Sequence, residues 1–300
     1  MIAPAPPSPS TPPAPAALPH LTQARAPLTF ETTAVNEFGA VTSISIPAER
    51  ALTVYVDKRE LVTLMTLGAH PELLVLGFLR NQRLVSSAAD IESITVDWEV
   101  GAAAVKTRHG ITDIEAKTAK RVVTTGCGQG SVFGDLMADI DNIVLPQASL
   151  TQTQLYGIVN AIRLKESTYK SAGSVHACAL FRGEELLMFV EDVGRHNAID
   201  TIAGWMWLQI EIGPGTATKT TMTSADKIFY TTGRLTSEMV IKSAQMGVPI
   251  VISRSGITQM GHQIAQKLGL CAIGRATNKH FLCYSGLQRL LFPSGLTPSK

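Results

Sequence analysis

The sequence is poor in cysteine: four in 300 residues, Cys127, Cys178, Cys271 and Cys283, with no C-x-x-C pair among them. Sparse, scattered thiols in a chain that is 45% hydrophobic exclude a disulfide scaffold and point to a reducing compartment. Long apolar runs are also missing. The strongest, "ELLVLGFL" from Glu72, falls far short of the ~20 residues that span a bilayer. The opening "MIAPAPPSPSTPPAPAALPH" has no basic region followed by an apolar one, so no secretory signal is expected. A cytoplasmic protein without a membrane partner is the expectation. Charge of one sign is not in excess either: 26 basic against 24 acidic side chains leave a net +2. Nucleic acid is therefore not expected as a partner, because binding a phosphate backbone needs a clear cationic surplus. Neither G-x-G-x-x-G after a strand nor G-x-x-x-x-G-K-[ST] occurs, which excludes the commonest dinucleotide and P-loop signatures.

Proline is present in quantity but concentrated. Nine of the 16 prolines fall at or before Pro27. Residues 1–28 are expected to form an extended tail with little apolar surface to bury. A smaller α+β part is expected over 29–120. In it "AVTSISIPAE" and "ALTVYVD" alternate as half-buried strands, and "IESITVDWEVGAAAVKTR" returns to that alternation. Between them, "KRELVTLMTLGAH" and "PELLVLGFLRNQRLV" space apolar residues at i, i+3 and i+4, which predicts two helices, the second with Pro71 in its first turn.

A larger α/β domain is expected over 121–300. "SVHACALF" and "EELLMFVED" read as a hairpin around Arg182-Gly183. The strands "DKIFYTTG", "PIVISRS" and "LCAIGR" alternate with helices that end near Gly247 and Gly269. Such a succession gives a parallel or mixed sheet flanked by helices.

In this domain three strands each end in a turn that carries an arginine and opens a helix. They are "FVEDVGRHNAID" with Arg195, "YTTGRLTSEMV" with Arg234 and "VISRSGITQM" with Arg254. Ligands of open α/β sheets bind beyond the carboxyl ends of strands, where helix N-termini present N–H groups. One such arginine can equally be a surface partner for Asp192 or Glu238. Three in succession favour a surface for diphosphate or carboxylate oxygens, with Thr236, Ser237, Ser253, Ser255 and Thr258 as helix caps or donors.

His176 and Cys178, two apart on one strand, share a face and could in principle ligate zinc. With no second short-spaced pair, a hydrogen-bonded histidine and a core cysteine are the expectation, and no metal site is predicted. Cys127 stands in "TTGCGQGS", between Gly126 and Gly128, at a strand exit close to a helix expected from about Val132. That setting suits either a reactive thiolate or a packing residue.

"ELLVLGFLRNQRLV", "TTGCGQGS", "VHACALF", "EDVGRHNAID" and "GRLTSEMVIKSAQMGVPIVISRSGIT" together resemble the FdhD family, from roughly Ala51 to near the C-terminus. The resemblance implies a homodimer with a cytidine-deaminase-like mixed sheet. It implies a sulfurtransferase that takes sulfur from a cysteine desulfurase and passes it to the bis-molybdopterin guanine dinucleotide cofactor for formate dehydrogenase, with GDP-like nucleotides as mimics. Cys127 matches the persulfide-forming cysteine. Cofactor contacts fall on Arg195, His196 and Asn197 in the first turn, and on Arg234, Ser237, Glu238 and Lys242 in the second. They continue on Ser253, Arg254, Ser255 and Thr258 in the third. The segment Arg275, Ala276, Thr277, Asn278, Lys279, His280 matches a late loop of the same surface.

Gly130 stands where many members have a second loop cysteine, so a hand-over within the loop is excluded while a single-persulfide route survives. Thr201 replaces a frequent lysine and "SGIT" the usual Ser-Ala-Pro-Thr. His176 is followed by Ala177 and Cys178, without the H-x-E glutamate of zinc deaminases, which argues against deamination. The alternative is a chaperone that binds the cofactor and transfers no sulfur.

Overall fold

The computed structural model describes residues 18–115, 122–123, 130–131, 140–165, 167–211 and 226–293. In the first part, strands β1 (His20–Leu21), β2 (Thr29–Val35), β3 (Val41–Pro47), β4 (Arg50–Val56) and β5 (Arg59–Thr66) precede helix α1 (Pro71–Asn81). Strands β6 (Ile91–Asp97) and β7 (Ala102–Thr107) follow it. Five of the strands form one sheet in the order β1-β6-β7-β4-β5, and β2-β3 pair as a separate hairpin. Strand β1 lies within the segment expected to be tail. It pairs with β6, and beyond it Thr22 Oγ1 and the Ala24 amide donate to Glu72 on α1.

Helix α1 starts where expected, with Pro71 in its first turn. The helix expected over "KRELVTLMTLGAH" is instead strand β5, antiparallel to β4. The pairing passes from Val54 opposite Val62 to Tyr55 opposite Glu60, so Leu61 is a bulged extra residue. A bulge turns a spacing of two into one of three: Leu61 and Leu64 both face the core and imitate a helical stripe. The two-residue turn Asp57-Lys58, with φ of 47° and 72°, closes this hairpin in the left-handed geometry that matches strand twist.

The second part opens with β8 (Val122–Val123) and β9 (Gly130–Ser131), which pair antiparallel. Cys127 lies between them, outside the described residues. There follow β10 (Leu150–Thr151), α2 (Gln152–Leu164), α3 (Thr168–Ala172), β11 (His176–Arg182), β12 (Glu185–Asp192) and α4 (Arg195–Glu211). The chain continues through β13 (Lys227–Thr231), α5 (Ser237–Gln245), β14 (Ile250–Ser253) and α6 (Gln259–Leu268). It ends with β15 (Cys271–Thr277), β16 (His280–Ser285) and β17 (Leu290–Leu291).

The main sheet has the order β12-β11-β13-β14-β15-β16, with β13, β14 and β15 parallel. Strand β14, "IVIS", is buried along its whole length, as a central parallel strand covered on both faces must be. Side chains of α4, α5 and α6 form the core on one face, and those of α2 the core on the other. The result is a mixed α/β fold with helices on both sides of the larger sheet.

Helices α1 and α4 join the two parts. A Cβ on Gly77 would lie 1.7 Å from the Asp200 carbonyl oxygen, and one on Gly204 2.1 Å from that of Leu73. The two glycines let the backbones touch, and Trp207 of α4 completes the core of the first part. Among the described residues no helix is long and apolar enough to cross a membrane.

Candidate functional site

Strands β12, β13, β14 and β15 run in one direction, so their carboxyl ends and the following turns share one edge of the sheet. The turns are tied to each other. Ser253 Oγ donates to the Gly233 carbonyl at 2.7 Å and accepts from the Ser255 amide at 3.0 Å. The Arg254 amide donates to Thr231 O, and the Arg275 amide to Ser255 O. Thr258 caps α6 by accepting from the Gly261 amide. Thr236, expected as a cap of α5, makes no such bond, and its buried Oγ1 has no partner among the described residues.

The first turn is built into the junction with the first part. The Asp192 carboxylate accepts from Thr66 Oγ1 at 2.5 Å, Asn197 Nδ2 at 2.8 Å, the Gly194 amide at 2.9 Å and the Leu67 amide at 3.1 Å. Burial raises its pKa above the ordinary carboxylate range, while these bonds pull the other way. Asp192 is thus no partner for Arg195. Asn197 donates to Met65 O as well, so its amide holds the turn onto β5.

Glu238 and Lys242, expected on the cofactor surface, lie inside the protein. Lys242 Nζ donates to Asp200 at 2.8 Å and lies 3.7 Å from Glu238, and Asn81 of α1 donates to the same Asp200 at 2.7 Å. Burial alone would lower the lysine pKa, but the two carboxylates outweigh it and hold the ammonium above its ordinary range. Glu238 is therefore not a surface counter-ion for an arginine. Its other oxygen sits 3.1 Å from His196 Nε2, too far out of line for a hydrogen bond.

The arginines differ sharply. Arg195, the first residue of α4, is 4% exposed, whereas Arg234, Arg254 and Arg275 are exposed. Arg195 lies across the second turn, where a Cβ on Gly233 would come within 2.9 Å of its Cδ. His176, expected to be a hydrogen-bonded core histidine, is half-buried, and its ring makes no hydrogen bond to any described residue. Burial lowers its pKa first, and the charges of Arg195, His196 and Arg234 lower it further. Cys178 is core, as expected, with its thiol pushed up to about 12 by burial.

At the far end of the edge a cleft of about 250 Å³ opens between α2, α3 and the sheet. Arg254, Ala276, Thr277 and Asn278 line it, joined by Arg163, Lys165 and Lys170 and by the rings of Tyr169, Phe189 and Tyr230. Lys165 Nζ stands 5.6 Å from the Phe189 ring centre. Glu191, the acid in the cleft, accepts from the Thr168 and Tyr169 amides at the start of α3. The segment expected as a loop, Arg275–His280, is the end of β15 and its tight turn into β16, with Asn278 at φ 53°.

A deep cationic edge, an aromatic cleft and a cysteine in a glycine-rich connection can be set beside known proteins. The sequence model of the FdhD/NarQ family matches residues 47–291. The chain belongs to the FdhD/NarQ family. It is 31% identical over 250 residues to the sulfur carrier protein FdhD of Listeria innocua, covering 82% of this chain and 91% of that one. The sulfur carrier protein FdhD of Bacillus subtilis is 31% identical over 244 residues, or 81% and 88% of the two chains. In fold, the chain is similar to the crystal structure of a candidate formate dehydrogenase accessory protein from Desulfotalea psychrophila. The TM-score is 0.68 at 22% identity, over 88% of this chain and all of the other.

In this family member most of the sequence-predicted residues fall into two groups. Arg254, Ala276, Thr277 and Asn278 meet at the cleft, with Ser255 and Arg275 beside them. Arg195, His196, Asn197, Glu238 and Lys242 lie buried around the first turn. Sequence reasoning missed Arg163, Lys165 and Lys170. Their signal was the basic run "RLKESTYK", which spans the break between α2 and α3. It also missed that Cys271 and Cys283, distant in sequence, meet on β15 and β16. There the thiol of Cys271 is raised and that of Cys283 lowered, in each case chiefly by the hydrogen bond between them. Among the described residues no three potential ligands gather as a metal site.

Proposed function

We propose that this family member is a sulfurtransferase. It carries sulfur as a Cys127 persulfide from a cysteine desulfurase to the bis-molybdopterin guanine dinucleotide cofactor, and it serves formate dehydrogenase as a homodimer. The observation that carries the reading is the gathering of Arg254, Ala276, Thr277 and Asn278 with Arg163, Lys165 and Lys170 around an aromatic cleft. Such a site offers stacking faces to a purine and charge-assisted donors to a diphosphate. The names of the relatives support the sulfur chemistry. We also read the larger sheet as cytidine-deaminase-like, supported by its three parallel strands joined through helices.

In the first step the Cys127 thiolate attacks the terminal sulfur of the desulfurase persulfide. A new S–S bond forms, the old one breaks, and its electron pair leaves with the desulfurase thiolate. The proton stays on the transferred sulfur, giving Cys127–S–SH. Donating that sulfur atom onward regenerates the Cys127 thiolate, so one cysteine is chemically sufficient. The second reading, a cofactor chaperone without sulfur transfer, is favoured by Gly130 in place of a second cysteine.

Two measurements separate them. Cys127→Ala should abolish formate dehydrogenase activity in cells that lack the native protein, and wild-type activity in that variant ends the persulfide reading. Mass spectrometry after incubation with desulfurase and cysteine should show an extra ~32 Da on the Cys127 peptide.

A further inference from the structure

Among the described residues, exposed apolar side chains gather on the β2–β3 hairpin. Phe30, Val35, Phe38 and Val41 are between 63% and 85% exposed. The hairpin belongs to neither of the two large sheets, and a two-stranded ribbon by itself is marginal in water. Its tip is nevertheless firmly built. The Asn36 side-chain oxygen accepts from the Phe38 and Ala40 amides, each at 3.0 Å, and so fixes the backbone that presents Phe38. Apolar groups gathered and held in water in this way mark a contact surface. All but the last residue of the ribbon lies ahead of residues 47–291, the segment that the family model matches, so that match does not account for it.

Charge indicates what this surface meets. Between Thr29 and Pro47 the ribbon has two acids, Glu31 and Glu37, and no base, a net −2. It therefore lacks the lysines by which exposed strands commonly avoid association. The complement lies on the same chain. From Arg163 to Lys170, across the break between α2 and α3, three bases against Glu166 leave 3 − 1 = +2. Arg163, Lys165 and Lys170 are exposed, and Leu164 and the Tyr169 ring, also exposed, are interleaved with them. Within one chain the match is not made. Strand β3 touches α3, yet neither Glu31 nor Glu37 forms an ion pair with any described residue.

We propose that the β2–β3 ribbon is a dimer arm that seats on the α2–α3 surface of a second copy of this chain. Because ribbon and surface adjoin in each copy, a two-fold axis beside α3 makes both contacts at once and brings the acids of each copy to the bases of the other. Arg163, Lys165, Tyr169 and Lys170 also line the cleft. A ribbon seated on them stands at the cleft mouth and closes it over a bound ligand. The proposal rests on the homodimer reading above and gives it a surface.

The test is the solution mass of the full chain at micromolar concentration, by light scattering. Wild type should show twice the 32.1 kDa chain mass. Phe38→Glu/Val41→Glu, at two exposed positions, should be a monomer with an unchanged circular dichroism spectrum. Carbodiimide treatment of mixed unlabelled and isotope-labelled wild type should join Glu31 or Glu37 of one label to Lys165 or Lys170 of the other. A monomeric wild type ends both the arm and the homodimer. A dimer that survives the double substitution, or cross-links confined to one label, overturns the arm and leaves a homodimer built elsewhere. Should the double substitution fail to fold, the cross-links alone decide. The monomeric variant should also bind GDP about fivefold or more weakly than wild type, the low end of ordinary coupling between sites. Equal affinity would overturn the closing of the cleft. Absence of GDP binding by wild type would instead sink the nucleotide reading, while cross-links between labels would still establish the arm.

Discussion

The first and third arginine turns have the same build in the sequence and opposite fates in the structure. Both follow a strand of the main sheet and both open a helix. Arg195 is buried and Arg254 is exposed at the mouth of a cleft. The difference comes from what covers them. The first turn is clamped by Thr66, Leu67 and Met65 of the smaller part, and α4 behind it touches α1 backbone to backbone. Among the described residues, α2, α3 and the β15–β16 hairpin stand over the third turn and leave room for a ligand. A strand-end turn is therefore a potential ligand site by topology, but its burial decides whether its polar groups hold the fold or remain for binding.

The comparison breaks most sharply at Lys242. Replacing it with methionine leaves Asp200 and Glu238 as buried carboxylates without their ammonium partner. The expected loss is about 3–5 kcal/mol in urea unfolding, the scale for breaking a buried pair. A loss below about 1 kcal/mol would show that this network is not a structural anchor. At the open end the effect should move from stability to binding. Arg254→Ala should leave unfolding within about 0.5 kcal/mol of wild type. It should weaken GDP binding by about 1.5–3 kcal/mol in calorimetry, the scale of a charge-assisted hydrogen bond. Unchanged GDP affinity would remove the nucleotide from this cleft.

The regular elements were largely legible because their signals are local. Pro71 at the start of α1, Gly247 and Gly269 after α5 and α6, and the Arg182-Gly183 hairpin each follow from backbone chemistry within a few residues. Strand β5 misled because a single bulged residue, Leu61, changes the period that sequence reading depends on. The three turns could be recognised, yet their burial could not. Whether Glu238 and Lys242 face solvent or Asp200 depends on α4 crossing between them and α1, a contact set by Gly77 and Gly204 over more than a hundred residues of sequence. The cations of α2 and α3 escaped for the same reason: only the sheet brings them to Arg254.

The smallest expected effect sharpens the comparison through pH. His176 sits at the buried end with its pKa depressed from the ordinary 6.5, by burial first and then by its cationic neighbours. The unfolded chain therefore takes up a proton near pH 6.5 that the folded chain still refuses, so stability falls as pH drops through that value toward the folded pKa. Asp192 and His70 also have shifted pKa values, and only a difference between variants isolates His176. Urea unfolding of wild type and His176→Gln between about pH 5 and pH 8 should show a shallower fall on the acid side for the variant. Parallel curves would mean that His176 carries no proton penalty, and that the cationic group around Arg195 is more open to water than its burial implies.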